Sequence, residues 1–183
     1  TEYLDVPYVM DDENSETRKV PFGKNLYIER SDFEEVPPKK YFRLFPGNEV
    51  RLMGAYFVKC TDFVKDENGN ITEVICTYDP ETKSGSGFNA RKVKGTIHWV
   101  SADENTPIEV RELYDLLLEN GKSDNFMENI NKESVVIKQS FAEVSVKDSK
   151  PADRYQFVRN GFYCVDTKYT TEEKLVFNKT PGL

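Results

Sequence analysis

The chain has 183 residues, is 38% hydrophobic and 13% aromatic, and carries 25 Lys and Arg against 32 Asp and Glu, for a formal net charge of -7. This length can support one or two folded domains, and the aromatic content argues against disorder. No run of about 18 apolar residues is present, so no helical membrane span is expected; the opening residues lack the pattern of a secretory leader, and the acidic total taken alone speaks against nucleic acid.

Residues 1–17 read as loose or extended, with the acidic run Asp11–Asp12–Glu13. Because the first residue is Thr1, a segment of a longer protein is expected. Arg18–Arg30 reads as a strand, with Val20, Phe22, Leu26 and Ile28 in alternation and a kink near Gly23. Ser31–Glu35 suggests a capped helical turn, stopped by Pro37 and Pro38. Tyr41–Phe45 suggests a short strand and Glu49–Cys60 a longer one, with Val50, Leu52, Gly54, Tyr56 and Val58 on one face. Asp62–Lys65 and Ile71–Tyr78 flank Asn68-Gly69, a strong hairpin signal because both residues tolerate positive φ.

After a Gly/Ser-rich loop comes Arg91–Ser101, three cations and a glycine feeding an apolar run that holds the only tryptophan and the only histidine. It reads either as a solvated turn before a core strand or as cations presented to an anion. Pro107–Glu119 mixes periods: Ile108 and Val110 alternate like a strand, while Leu113, Leu116 and Leu117 share a helical face. Asn120–Asp124 reads as a turn, Asp124–Asn131 as a single helical turn, and Ser134–Gln139 and Phe141–Val146 as strands. Arg154–Val158 and Phe162–Asp166 flank a second Asn-Gly pair, Asn160-Gly161, and Leu175–Phe177 is a last short strand. About ten short strands with turns between them predict an all-β protein, and two barrels in preference to one sheet.

Charge is not spread evenly. Lys39–Lys59 holds five Lys or Arg and one acid, and Lys83–Lys94 holds four and none; Thr1–Val36 and Asp103–Glu133 are strongly acidic. Such cationic islands can bind a polyanion despite the total, because contact depends on local potential. The cysteines, Cys60, Cys76 and Cys164, have no metal-ligand spacing and are expected as reduced thiols, with no metal site.

Nothing singles out a catalytic group. His98 sits beside Trp99 in an apolar run, where a core histidine is the default; a hydrolase would need it exposed in a pocket. No Gly-x-Ser-x-Gly and no phosphate-cradling glycine motif is present. Arg43, Arg51, Gln156 and Arg159 are polar groups at strand edges or turns among aromatics. Each is ordinarily a surface residue, yet together these types suit unstacked bases of single-stranded RNA. An all-β module for protein or carbohydrate is the non-RNA alternative.

Several stretches also resemble one family. Arg91-Lys-Val-Lys-Gly-x-Ile-His-Trp-Val-Ser101, Gly47-x-Glu-Val-Arg-Leu52, Val135-x-Ile-Lys-Gln139 and Tyr155-Gln-Phe-x-Arg-x-Gly161 with Phe177-Asn178 resemble the C-terminal anticodon-binding region of bacterial-type glutaminyl-tRNA synthetases. Val20-Pro21-Phe22 and Cys76-Thr-Tyr-Asp79 fit too, and related glutamyl enzymes share parts of the pattern.

The resemblance implies two six-stranded β-barrels, one inserted in the other: 1–38 plus 120–183 as the proximal barrel, 39–119 as the distal one. It implies a class I ligase, monomeric and cytoplasmic, whose catalytic domain binds ATP and Mg and lies outside this chain. The implied partners are the anticodon loop of tRNA(Gln) and that catalytic domain; neither nucleotide-binding signature of the catalytic half occurs here. By motif, the resemblance matches Arg43 and Arg51 to family arginines that contact anticodon nucleotides, and Gln156 and Arg159 to the positions at the middle and third anticodon bases. Lys92 and Lys94 would meet phosphate. Phe42, Met53 and Val158 depart from the pattern, and stacking on Phe42 would replace a lost polar contact. Glu112 looks like one extra residue, which a β-bulge would absorb.

Overall fold

The structure is a computed structural model and describes residues 1–9, 12, 14–118 and 124–180. Part of the acidic run at 11–13 and most of the turn expected at 120–124 lie outside the described residues. Among the described residues there is no α-helix; strands dominate, joined by short 3-10 turns. The fold is all-β, as the sequence predicts. No helix among them is long and apolar enough to cross a membrane.

The chain divides into two compact units, Thr1–Glu104 and Asn105–Leu183. The first contains β1 (Glu2–Pro7), β2 (Thr17–Phe22), β3 (Leu26–Tyr27), β4 (Glu49–Leu52), β5 (Phe57–Lys65), β6 (Ile71–Asp79), β7 (Thr96–Ile97) and β8 (Val100–Ser101). β1 and β2 form an antiparallel ribbon, β3 pairs with β8, and the four-stranded sheet runs β6-β5-β4-β7, with β4 and β7 parallel. Alternation explains the core: Leu4 and Val20 face each other across the ribbon and are both buried, as are Val50, Leu52 and Ile97 in the sheet. Each such side chain contributes about 1.5–3 kcal/mol by leaving water. Phe22 ties ribbon to sheet, its ring 5.1 Å from Tyr56 and 5.5 Å from Trp99.

The expected strand Glu49–Cys60 is broken. Leu52 and Tyr56 close a tight turn, with the Leu52 amide donating to the Tyr56 carbonyl at 2.8 Å, and Gly54 turns at φ +68°. A side chain at Gly54 would also crowd the Val6 methyls at 3.2 Å. Tyr41–Phe45 is not a strand either; it makes one isolated bridge, Phe33 to Leu44. The Asn68-Gly69 hairpin is present. The Asp66 carboxylate accepts the amides of Asn68 (2.9 Å) and Asn70 (2.8 Å), and Gly69 has φ +81°.

The second unit contains β9 (Thr106–Leu113), β10 (Val135–Ala142), β11 (Arg154–Phe157), β12 (Gly161–Val165) and β13 (Leu175–Lys179), in the order β10-β9-β13-β12-β11. Ile108, Val110, Tyr163, Val165, Leu175 and Phe177 make its core. Of the mixed-period stretch, residues up to Leu113 form strand β9, which pairs with β10 from Thr106 to Leu113 without a register break, so no bulge sits at Glu112; 114–118 lie outside any strand, with one isolated bridge from Leu117 to Ile130. The register shifts fall instead in the β5–β6 pair, at Cys60/Asp62 and Val64/Lys65. Ser134–Gln139 and Phe141–Val146 merge into β10 and a 3-10 turn at Val144–Val146.

The sequence resemblance implies a different grouping from these two compact units, 1–38 with 120–183 around 39–119. By contacts, β1 and β2 share a core with β4, β5 and β7, while β9 lies between β10 and β13. The hydrogen-bonded pairings among the described residues give sheets of two, five, two and four strands.

Candidate nucleic-acid interface

In the first unit the candidate arginines are built into the framework. Val50 and Leu52 point inward, so Arg51 points to the opposite face of β4. Its guanidinium donates to Ser84 Oγ (2.9 Å), the Thr82 carbonyl (3.2 Å) and the Ala55 carbonyl (3.3 Å). It also lies 4.2 Å from the ring centre of Phe57, its cross-strand neighbour. Burial pulls its pKa down, though an arginine keeps its charge.

Phe57 serves a second cation. Arg91 lies 5.3 Å from the Phe57 centroid, forks onto Glu49 (2.9 and 2.8 Å) and reaches Asp79 at 2.7 Å. Its hydrogen bonds to Glu49, then Asp79, hold its pKa well above the ordinary value. The first cation of the basic stretch is therefore a clamp between β4, β6 and the loop before β7. Lys92 and Lys94 remain exposed.

Lys94 Nζ lies 5.6 Å from the centre of the Phe42 ring, and Phe42 is 49% exposed. Gly95 explains their approach: a Cβ there would sit 1.7 Å from the Phe42 carbonyl oxygen. The Gly95 carbonyl accepts the Arg51 amide at 2.9 Å. Phe42, Lys94 and the backbone of Arg51 are thus drawn together by one glycine. Met53, the other departure in this unit, uses its carbonyl to accept the Trp99 indole N–H at 2.9 Å.

Arg43, next in sequence to Phe42, is held by Asp32 and Ser31. Its Nε lies 3.2 Å from buried Asp32, and Nη1 donates to Ser31 at the carbonyl (3.0 Å) and hydroxyl (3.1 Å). The Asn48 amide fixes the Arg43 carbonyl at 2.7 Å. The side chain still keeps 39% of its surface exposed. His98 is half-buried between buried Ile97 and Trp99 and is engaged in an interaction there.

In the second unit, period two sorts β11 cleanly. Tyr155 and Phe157 turn inward, their rings 5.8 and 5.2 Å from Phe177, and Phe157 stacks on Tyr163 at 4.5 Å. Gln156 between them is exposed, and among the described residues its side chain has no hydrogen-bond partner. It pairs across the strands with Phe162, which is 60% exposed. An open hollow of about 560 Å³ is lined by Arg154, Gln156, Phe162, Cys164 and Thr180. Arg159 occupies the hairpin turn with φ +71°, closed by the Asn160 amide donating to the Phe157 carbonyl at 2.8 Å. Val158 is half-buried.

The structure thus brings Phe42, Lys94 and the backbone of Arg51 together within the first unit, and Gln156 and Arg159 onto one hairpin in the second. Sequence reading passed over Arg154 and Phe162. Their signal was available: Arg154 shares the outward face of Gln156 by alternation along β11, and Phe162 stands opposite Gln156 in the hairpin that Asn160-Gly161 announces.

Two family models match, both described as tRNA synthetases class I (E and Q), anti-codon binding domain, one over residues 1–79 and the other over 96–166. The chain belongs to this anticodon-binding family. Among its relatives, the glutamine–tRNA ligase of Clostridioides difficile (strain 630) is 57% identical over 182 residues, covering 97% of this chain and 33% of the relative. That of Clostridium perfringens is 53% identical, covering 100% and 34%. That of Escherichia coli O157:H7 is 49% identical over 170 residues, covering 91% and 30%. The chain therefore spans about a third of the length of the curated relatives it matches. The two anticodon-binding matches fall largely on either side of the contact boundary, 1–79 within the first unit and 96–166 mostly within the second.

Proposed function

We propose that this chain is the anticodon-reading part of a glutamine–tRNA ligase, and that the parent protein joins glutamine to tRNA(Gln) with ATP. One observation carries this reading: a glutamine–tRNA ligase matches 97% of the chain at 57% identity. The same observation favours glutaminyl over glutamyl identity and an RNA partner over a protein or carbohydrate one. ATP and Mg belong, on this reading, to the two-thirds of the relatives that this chain does not span. The parent works as a cytoplasmic monomer.

The anticodon loop unstacks and its bases enter separate sites. Gln156 offers a donor and an acceptor on one amide, which can pair with the edge of one base, and Arg159 reads its neighbour. The exposed rings of Phe162 and Phe42 are surfaces on which an unstacked base can lie. Arg51 and Arg43 are oriented before RNA arrives, so binding loses little side-chain entropy there. Lys92 and Lys94 contact phosphate and set the loop's position without reading sequence.

The test is binding of this chain to tRNA(Gln) and to the same tRNA with a substituted anticodon, at fixed salt. The reading expects cognate binding tighter by about tenfold or more, equivalent to at least one lost base contact. Equal affinity for both would overturn it.

A further inference from the structure

Cys60 and Cys76 stand directly opposite each other in the antiparallel β5–β6 pair. The Cys60 amide donates to the Asn48 carbonyl at 3.1 Å, and its carbonyl accepts the Gly47 amide at 2.9 Å. Both backbone groups of Cys60 therefore point away from β6, because the N–H and C=O of one strand residue leave on the same side. On the β6 side the pair is consequently a non-hydrogen-bonded one, the type in which opposed Cα atoms approach to about 4.5 Å and side chains lie closest. Disulfides span Cα separations of about 4.4–6.8 Å. Each thiol is also felt by the other: Cys60 is among the causes that raise the Cys76 thiol, and Cys76 among those acting on Cys60.

We propose that Cys60 and Cys76 form an oxidant-closable cross-link, a modification site that joins the two strands of the hairpin when a low-molecular-weight disulfide is present. Cys76 is exposed and Cys60 buried, which sets the order of events. Cys76 loses its proton to water, and its thiolate attacks one sulfur of oxidised glutathione. A mixed disulfide forms and one glutathione thiolate leaves. Cys60 then loses its proton and attacks the Cys76 sulfur, displacing the second glutathione. Two protein thiols are oxidised, one glutathione disulfide is reduced to two thiols, and the two protons end on glutathione. Cys76 is exposed as a residue, but desolvation of its sulfur and then the neighbouring Cys60 push the thiol up to about 12, so closure is slow near neutrality and answers to sustained oxidant. The third cysteine, Cys164, belongs to the other unit and pairs with Asn178 in its own sheet.

The experiment treats this chain under native conditions with oxidised glutathione, then blocks remaining thiols and maps peptides by mass spectrometry. The expected result is loss of two of the three free thiols, a Cys60–Cys76 linked peptide, and return of both thiols on adding dithiothreitol. The Cys60→Ser variant should stop at a persistent glutathione adduct on Cys76, and Cys164→Ser should close as the parent does. A persistent glutathione adduct on Cys76 in the parent chain, or no reaction at either cysteine under native conditions, would overturn the proposal. Neither outcome bears on RNA binding, because the readouts are thiol count and peptide linkage.

Discussion

The two units hold their candidate RNA-contact residues in opposite ways. In the first, the candidate arginines are fastened before any ligand arrives: Arg51 to Thr82, Ser84 and Phe57, and Arg43 to Ser31 and Asp32. In the second, Gln156 stands on an outward face with no partner among the described residues. A fastened group is pre-aimed, but its removal injures the fold as well as the site. An unfastened one can be removed at little structural cost, so its loss reports on binding alone.

The largest effect expected from this contrast is at Gly95. Gly95→Ala drives a methyl into the Phe42 carbonyl, so the Phe42 segment or β7 must shift. Chemical denaturation should show a loss of about 3 kcal/mol or more. A loss under 1 kcal/mol would mean that this segment is far more yielding than its contacts suggest. Next comes Arg51→Ala, which strips three hydrogen bonds and a cation–π contact and should cost about 2 kcal/mol of stability in addition to RNA affinity. If only affinity falls, Arg51 is not the framework member described here.

Acid should weaken both units, because Glu2, Asp66 and Asp79 of the first are also held below their ordinary values; the second adds a buried carboxylate. Glu109 is buried, and Lys174, then Arg111, hold its carboxyl below the ordinary value of 4.5. Lys138, first among its partners, does the same for Glu112. A carboxyl whose folded pKa is depressed contributes stability above its unfolded pKa and loses it as pH falls through the folded one. Melting of the second unit should therefore weaken progressively as pH drops below about 4.5, and Glu109→Gln should flatten that dependence. The smallest effect is at Lys92, which makes no ion pair among the described residues. Lys92→Ala should leave melting unchanged and reduce the salt slope of RNA binding by about 0.7–0.9. An unchanged slope would return it to the ordinary surface.

Much of the framework was legible in the residues. Both Asn-Gly pairs mark real hairpins, because positive φ is a local demand that the residue type announces. In the second turn, however, the positive φ falls on Arg159 and Gly161, one position to either side of Asn160. The break at Gly54 was hidden because Met53 and Ala55 carry the apolar run straight through the turn. The pairing of β9 with β10 and β13 is not local either, because both partners lie far along the chain. The same holds for the site. Gln156 faces outward by simple alternation, but nothing local to Arg51 announces Thr82 and Ser84, nor does anything near Arg91 announce Glu49. Long-range partners decide which cations are clamps and which are open.

The most direct test crosses Gln156→Ala with substitution of the middle anticodon base and measures binding of all four combinations to this chain at one salt concentration. The account predicts that the variant loses about 1–3 kcal/mol on the cognate tRNA and almost nothing on the substituted one, because the same contact is already gone. An equal loss on both tRNAs would contradict it and leave Gln156 as a contact that carries no sequence information.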